Sequence, residues 1–169
     1  NLLVEYWNSI GSGSAVSDLK GNANFPNSPS LKYYTNSPFE LRTNYGDNYG
    51  SRVRTQFIAP TNGNYTFWIA SDDASELWFS TNRDAANKTL VCAATSWTSP
   101  RQWTKYAGQQ SAPIPLLAGQ ACYLESLHKE GGSIDCLAVA VQGPAPYDGT
   151  NVIGAANLIQ PFAGFSPPR

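Results

Sequence analysis

The sequence predicts an all-β protein, an antiparallel β-sandwich with long loops, and three observations carry that prediction. Short runs of β-forming residues alternate between two faces. The runs are separated by turn residues, among them 14 Gly and 12 Pro. No segment sustains a helical period beyond a turn or two. At 169 residues the chain suits one domain with a full hydrophobic core. We expect a single sandwich over residues 1–165. Residues 166–169, Ser166-Pro167-Pro168-Arg169, read as the start of a Pro-rich linker.

The expected strands come in chain order. Val53 to Ile58 sets Val53, Thr55 and Phe57 against Arg54 and Gln56. Pro60-Thr61-Asn62-Gly63-Asn64 is a tight turn, with Asn62 or Gly63 suited to positive φ. Tyr65 to Ala70 then places Tyr65, Phe67 and Ile69 on one face and Thr66, Trp68 and Ala70 on the other. Leu77-Trp78-Phe79, Leu90-Val91-Cys92, Ala121 to His128 and Cys136 to Gln142 complete the set. Trp68 and Trp78, within strand patterns, are expected in the core. Residues 8–50 show little alternation and are expected as surface loops packed by tyrosines. Val152 to Gln160 is a candidate final edge segment.

Composition narrows the function classes. Hydrophobic residues make up 41% of the chain, so it is not a disordered one. Charged residues are 14%, well under the roughly 25% of ordinary soluble proteins. A net charge of −1 with no basic stripe argues against a nucleic-acid partner. No run approaches the roughly 18 apolar residues of a membrane span, so membrane insertion is not expected. Asn1-Leu2-Leu3-Val4-Glu5 lacks the features of a signal peptide, so the chain reads as mature or as part of a longer protein. Cys92, Cys122 and Cys136 form no CxxC pair and are expected as buried free thiols. If residues 122–128 and 136–142 formed a hairpin, a Cys122–Cys136 bridge would need poor geometry. Asn64-Tyr65-Thr66 and Asn87-Lys88-Thr89 match the glycosylation sequon.

The string from Gly63 to Ser80 carries the chemistry. Two aromatic strands flank the adjacent acids Asp72 and Asp73. Neighbouring side chains on an extended strand point to opposite faces, so only a loop or an unusual peptide bond aims both at one ion. Two carboxylates forced together repel unless a cation or a proton neutralises them. Hard oxygen ligands at a strand–loop junction suit calcium.

Here the chain resembles the PA-fourteen domain family, named for the N-terminal region of anthrax protective antigen. The matching residues are Gly63-Asn64-Tyr65-Thr66-Phe67-Trp68-Ile69-Ala70-Ser71-Asp72-Asp73 and Glu76-Leu77-Trp78-Phe79-Ser80. Trp97, Arg101 to Tyr106, Gln110 to Ile114 and Leu117 to Gln120 extend the match. Tyr123-Leu124-Glu125, Leu127 to Gly132 and Leu137 to Val141 close it. The resemblance covers about residues 2–144. It implies a β-sandwich found in bacterial enzymes, adhesins, toxins and yeast flocculins. In sugar-binding members, two aspartates joined by a cis peptide hold calcium at one end, and that pair maps onto Asp72 and Asp73. The ion is completed from a second loop, which here is Lys129 to Cys136. Asp135 is the expected side-chain ligand, and Gly131 to Ile134, Gly131 and Ser133 among them, would offer carbonyls. Ser133-Ile134 stands where related sequences carry more glycine.

These readings give a non-catalytic carbohydrate-binding module, lectin-like or adhesive. Calcium would bridge the protein acids and vicinal hydroxyls of a polysaccharide or oligosaccharide. Asp72, Asp73, His128, Lys129, Glu130 and Trp97 are the expected sugar contacts. Trp97 lies in a turn-rich stretch, where an exposed aromatic face can stack on a pyranose. The single His128 rules out multi-histidine zinc sites, and no Gly-x-Ser-x-Gly elbow is present. Glu125 and Glu130 offer two carboxyls, but nothing in the pattern places them in one glycosidase cleft. We therefore expect a monomeric, secreted or cell-surface module with flanking domains. The alternative is a structural or protein-binding module of the same fold without a sugar site.

Overall fold

Residues 49–58 and 121–130 form the spine of the fold, pairing over ten residues each. The computed structural model describes residues 1–159 and 161; the expected linker at 166–169 and the domain end at 165 lie outside the described residues. In chain order the elements are β1 (Leu2–Trp7), α1 (Val16–Lys20), β2 (Leu31–Thr35), β3 (Tyr49–Ile58), β4 (Gly63–Asp72), β5 (Ser75–Ser80), β6 (Thr89–Ala94), β7 (Ile114–Leu116), β8 (Ala121–Glu130), β9 (Cys136–Gln142), β10 (Asn151–Val152) and β11 (Leu158–Ile159). The larger sheet runs β2-β1-β3-β8-β5-β6, with β11 also on β3; the smaller runs β10-β9-β4-β7. Every described strand pair is antiparallel. The predicted all-β sandwich is what forms.

Period-two patterning explains the core between the sheets. Tyr65, Phe67 and Ile69 of β4 and Leu137, Val139 and Val141 of β9 point inward from the smaller sheet. They meet Val4, Val53, Phe57, Leu77, Phe79 and Leu124 of the larger one. Phe67 joins the layers, with its ring centroid 5.4 Å from Phe57 and 4.9 Å from Phe79. Trp68 points the other way and is only half-buried, while Trp78 packs half-buried on the outer face of the larger sheet. Neither belongs to the main core; sharing a strand with core residues does not place a side chain on the core face.

A second, smaller cluster covers that outer face. Val16 and Leu19 of α1 pack with Trp7, Ala74 and Leu127. This explains why β8 is buried on both faces. Residues 8–50 are thus more ordered than expected, holding α1, β2 and the first residues of β3. The tyrosines do pack: Tyr45 stacks on Tyr6 at 4.1 Å and meets Tyr49 edge-on at 4.9 Å.

β8 and β9 do not form a hairpin, because they belong to different sheets. The same is true of β3 and β4, so the turn at residues 60–64 crosses between layers. Cys92, Cys122 and Cys136 are free and buried, and burial pushes each thiol up to about 12. Val152 pairs with β9 through β10, and Leu158–Ile159 return to β3.

Phe67→Ala removes the ring that links the two layers and is expected to cost about 3–5 kcal/mol. The check is urea unfolding, in which the midpoint should fall while the slope stays unchanged.

Candidate functional site

Two crossovers between the sheets lie side by side at one end of the sandwich. The first leaves β4 at Asp72 and enters β5 at Ser75; the second leaves β8 at Glu130 and enters β9 at Cys136. Their strands are in register, with Asp72 opposite Cys136 and Ser75 opposite His128. The Lys129 amide donates to the Ala74 carbonyl at 3.0 Å, which ties one crossover to the other. The Asp72–Asp73 peptide bond is cis.

This arrangement brings three acids together. Asp72, Asp73 and Glu130 each place a carboxylate oxygen within 4.8 Å of the other two. Asp72 and Asp73 are half-buried, whereas Glu130 is fully buried and neither of its oxygens has a hydrogen-bond partner among the described residues. Asp73 is held from both ends: its Oδ2 accepts the Gly131 amide at 3.0 Å, and its carbonyl accepts the Ser71 hydroxyl at 2.6 Å. A side chain at Gly131 would not fit, because a Cβ there would lie 2.7 Å from the Ser12 carbonyl oxygen.

Confinement of like charges is visible in the proton affinities. Burial, then the Asp73 charge, pushes Asp72 up to about 6. Burial, followed by the Asp73 and Asp72 charges, pushes Glu130 up to about 8. Lys105 pulls Asp72 in the opposite direction, more weakly. The donor set is wholly oxygen and anionic, with one member buried and unsatisfied. Those features fit a hard divalent cation such as calcium and do not fit the Cys/His sites of zinc.

The structure distributes the other expected site residues differently. Asp135 is fully buried; its Oδ2 accepts the Gly46 amide at 3.0 Å and its Oδ1 has no partner among the described residues. It stands outside the three-carboxylate group, yet its charge is among those raising Asp72 and Glu130. Gly131 turns its amide to Asp73, while its carbonyl accepts the Asn48 amide at 3.1 Å. Ser133, at φ 91°, donates its amide to Asp47 Oδ1 at 3.1 Å.

His128 and Lys129 lie in the interior and present no surface to a glycan. His128 Nε2 donates to the Asp72 carbonyl at 2.7 Å, and burial holds the ring below its ordinary proton affinity. The Lys129 ammonium donates to the carbonyls of Gly11, Gly13 and Glu130, which pins the loop before α1 against the acids. Burial lowers its pKa as well. Glu130, expected as a sugar contact, instead joins the acid cluster. The signal for this was its place as the last strand residue before Gly131-Gly132, where a buried side chain can still face the tip.

Trp97 is 50% exposed. The Lys105 ammonium lies 3.0 Å from its ring centroid and donates to its carbonyl at 2.8 Å, so one ring face is covered. The next residue anchors this loop beside the acids. The Thr98 amide donates to the Ser71 carbonyl at 2.6 Å, and the Ser71 amide donates to Thr98 Oγ1 at 3.0 Å.

No family model matches the chain. Among curated proteins it is 36% identical over 123 residues to mouse N-acetyl-beta-glucosaminyl-glycoprotein 4-beta-N-acetylgalactosaminyltransferase 1, a match covering 70% of this chain and 12% of that protein. It is 31% identical over 99 residues to fibrocystin of Canis lupus familiaris, covering 54% of this chain and 2% of that one. The chain therefore spans only a small part of either relative. Among solved structures, the PA14 domain of the MpAFP antifreeze protein superposes with a TM-score of 0.70 at 10% identity, covering 98% of this chain and 94% of that one. The PA14 sugar-binding domain from an RTX adhesin gives 0.67 at 12% identity, with 94% and 97% covered. The epithelial adhesin 6 A domain from Candida glabrata, in complex with Galb1-3GlcNAc, gives 0.64 at 10% identity, with 99% and 91% covered. Nearly full coverage in both directions, on top of the aspartate pair and the two crossovers, fixes the architecture: this chain has the fold of the PA14 (PA-fourteen) domains that its Gly63–Asp73 segment resembles.

Proposed function

We propose that the chain is a non-catalytic carbohydrate-binding module of a longer extracellular protein, with a calcium ion held by Asp72, Asp73 and Glu130. The observation that carries the reading is Glu130. It is a fully buried carboxylate with two unsatisfied oxygens beside two further acids, and a cation satisfies what no protein group does. Calcium takes six to eight oxygens, so three carboxylates leave positions for the vicinal hydroxyls of a sugar. The chain's own residues hold and orient the acids. Ser71 and Gly131 fix Asp73, His128 fixes the Asp72 carbonyl, and Lys129 anchors the loop carrying Ser12. All three acids come from one chain, so a monomer suffices.

Two features support a binding role in place of catalysis. Glu125 lies five residues before Glu130 on the same strand and hence faces the other side of the sheet. There it accepts the Tyr123 hydroxyl at 2.6 Å, with Lys88 at 3.7 Å. No glycosidase pair is assembled from these two. His128 is buried, with its Nε2 committed to a backbone carbonyl. The RTX adhesin PA14 domain is a sugar-binding one and the Candida adhesin domain is in complex with a glycan, and both are compatible with the same role here. The ligand would then be an oligosaccharide or polysaccharide outside the cell.

Calcium at about a hundred times its Kd should stabilise the fold by about 2.7 kcal/mol. At about 2–4 °C per kcal/mol for a chain of this size, Tm should rise by about 5–10 °C over chelator. Identical melting curves would leave a structural or protein-binding module. In calorimetric titration, Asp73→Asn and Glu130→Gln should each weaken calcium binding by about ten-fold or more, and Asp135→Asn by less. Unchanged affinity in Glu130→Gln would remove Glu130 from the site.

The pH dependence of the calcium-free protein has a definite sign. Glu130 keeps its proton in the folded chain up to about 8, whereas in the unfolded chain it releases it near 4.5. From about one unit above the ordinary histidine value of 6.5, where His128 is largely neutral in both states, the folded form binds more protons through Glu130, so its stability falls as pH rises through about 8. Melting in chelator should show this decline, and saturating calcium should flatten it. A chelator series that is flat over this range would contradict the confinement of Glu130.

A further inference from the structure

A pocket of about 250 Å³ lies between α1, the start of β5 and the end of β6, on the outer face of the larger sheet. On the outer face its lining is mostly apolar, with side chains from the buried Val16 and Ala74 and the half-buried Ala93; the buried Ser75 and Ala94, paired across β5 and β6, point to the inner face. Ser17 and Thr95 are exposed where they line it, and their hydroxyls have no partner among the described residues. Glu76 supplies an acceptor. Its Oε2 is used by Lys20 at 2.6 Å and by Trp78 Nε1 at 2.9 Å, while Oε1 has no partner among the described residues.

The pocket and the acid cluster share one hydrogen-bonded frame. Ala74, in the pocket, directly follows Asp73. The Ser71 hydroxyl donates to the Asp73 carbonyl and sits 2.7 Å from the hydroxyl of Ser75, another pocket residue. Thr95 stands three residues before Thr98, which exchanges two hydrogen bonds with Ser71. Residues 71–75 therefore connect the acid cluster to the pocket lining.

The chemistry of the lining selects the occupant. At about 250 Å³ the pocket falls below the ~300 Å³ lower end of ordinary small-molecule sites, so it suits one sugar or one large substituent. A group bearing only hydroxyls would set polar atoms against the methyls of Val16, Ala74 and Ala93, which is unfavourable without partners. An acetamido group divides as the pocket does. Its methyl matches the alanine floor, its N–H matches a carboxylate oxygen, and its carbonyl matches a free hydroxyl. Resting on the proposed cation-dependent glycan site, we infer that the ligand is an N-acetylated hexosamine, with its acetamido group seated between Ala74, Ala93 and Glu76 and its carbonyl met by Ser17 or Thr95.

The test uses matched sugars titrated into the calcium-loaded protein: N-acetylglucosamine against glucose, and N-acetylgalactosamine against galactose. In at least one pair the acetamido sugar should bind about ten-fold tighter, a ratio that one well-filled apolar subsite can supply. Ala93→Leu, at a half-buried position of the pocket wall, should bring the ratio to about one with calcium affinity retained. Thr95→Val, on the exposed rim, should lower the ratio without disturbing the fold. Equal affinities within both pairs, or a ratio that survives Ala93→Leu and Thr95→Val, would overturn the pocket assignment alone. Failure of all four sugars to bind in calcium would overturn the proposed function, and this inference with it.

Discussion

The structure of the tip depends on one electrostatic constraint: three carboxylates are confined where they cannot all be charged without compensation. Asp72 and Asp73 are adjacent in sequence, and Glu130 arrives from the opposite crossover. Burial and mutual repulsion both favour protons on Asp72 and Glu130. The Lys129 ammonium, which follows His128 and precedes Glu130 on β8, is spent on three backbone carbonyls. Hydrogen bonds from the Gly131 amide and the Ser71 hydroxyl orient Asp73 but add no countercharge. A site organised this way favours whatever brings positive charge to it. It gains more from a divalent ion than an exposed acidic patch would, because its carboxylates are already partly stripped of water.

The sandwich supplies the rigidity that holds the acids in place. Glu130 ends a ten-residue strand flanked by β3 and β5, and Asp72 ends another flanked by β7 and β9. Around them the loops bond to one another and leave few free ends. The 131–135 segment takes amides from Asn44, Gly46 and Asn48 and gives one to Asp47. The loop before α1 is pinned by Lys129, and Thr98 is locked to Ser71. Such a surface needs little ordering on binding, so a shallow contact loses less of its gross affinity to entropy.

The fold was legible in the sequence because the inner faces of β4 and β9 obey a strict period of two. Tyr65, Phe67, Ile69, Leu137, Val139 and Val141 all point into the core. The elements that escaped reading are those whose burial has another origin. β1 is buried along its whole length, so it shows no alternation, and α1 is a single turn whose Val16 and Leu19 pack outside the main core. The aspartate pair was legible as adjacent acids between aromatic strands. Its third partner was not, since Glu130 meets it only when two crossovers from different strands lie side by side. His128 and Lys129 read as polar tip residues. Lys129 is buried because the loop before α1 folds over the outer side of β8, and His128, on the inner side, because Tyr49 and the Asp72 carbonyl close over it; both are tertiary events with no local signature.

The buried lysine shows how the two sides of the tip are coupled. Its ammonium is the centre of a loop closure that sets Gly11 and Gly13 against β8, and that closure carries Ser12 to the spot where Gly131 has no side chain. The same segment continues as Ser14, whose carbonyl accepts the Ala74 amide, and then as Val16 and Ser17 along the pocket. One stretch of chain, from Gly11 to Ser17, therefore borders both the acid cluster and the small-residue pocket. Any ligand that spans the two meets a surface positioned by a single buried charge, so displacement of that loop would alter both halves together. Separate loops would let the acid cluster and the pocket shift independently; here the geometry of β8, through Lys129, ties one to the other.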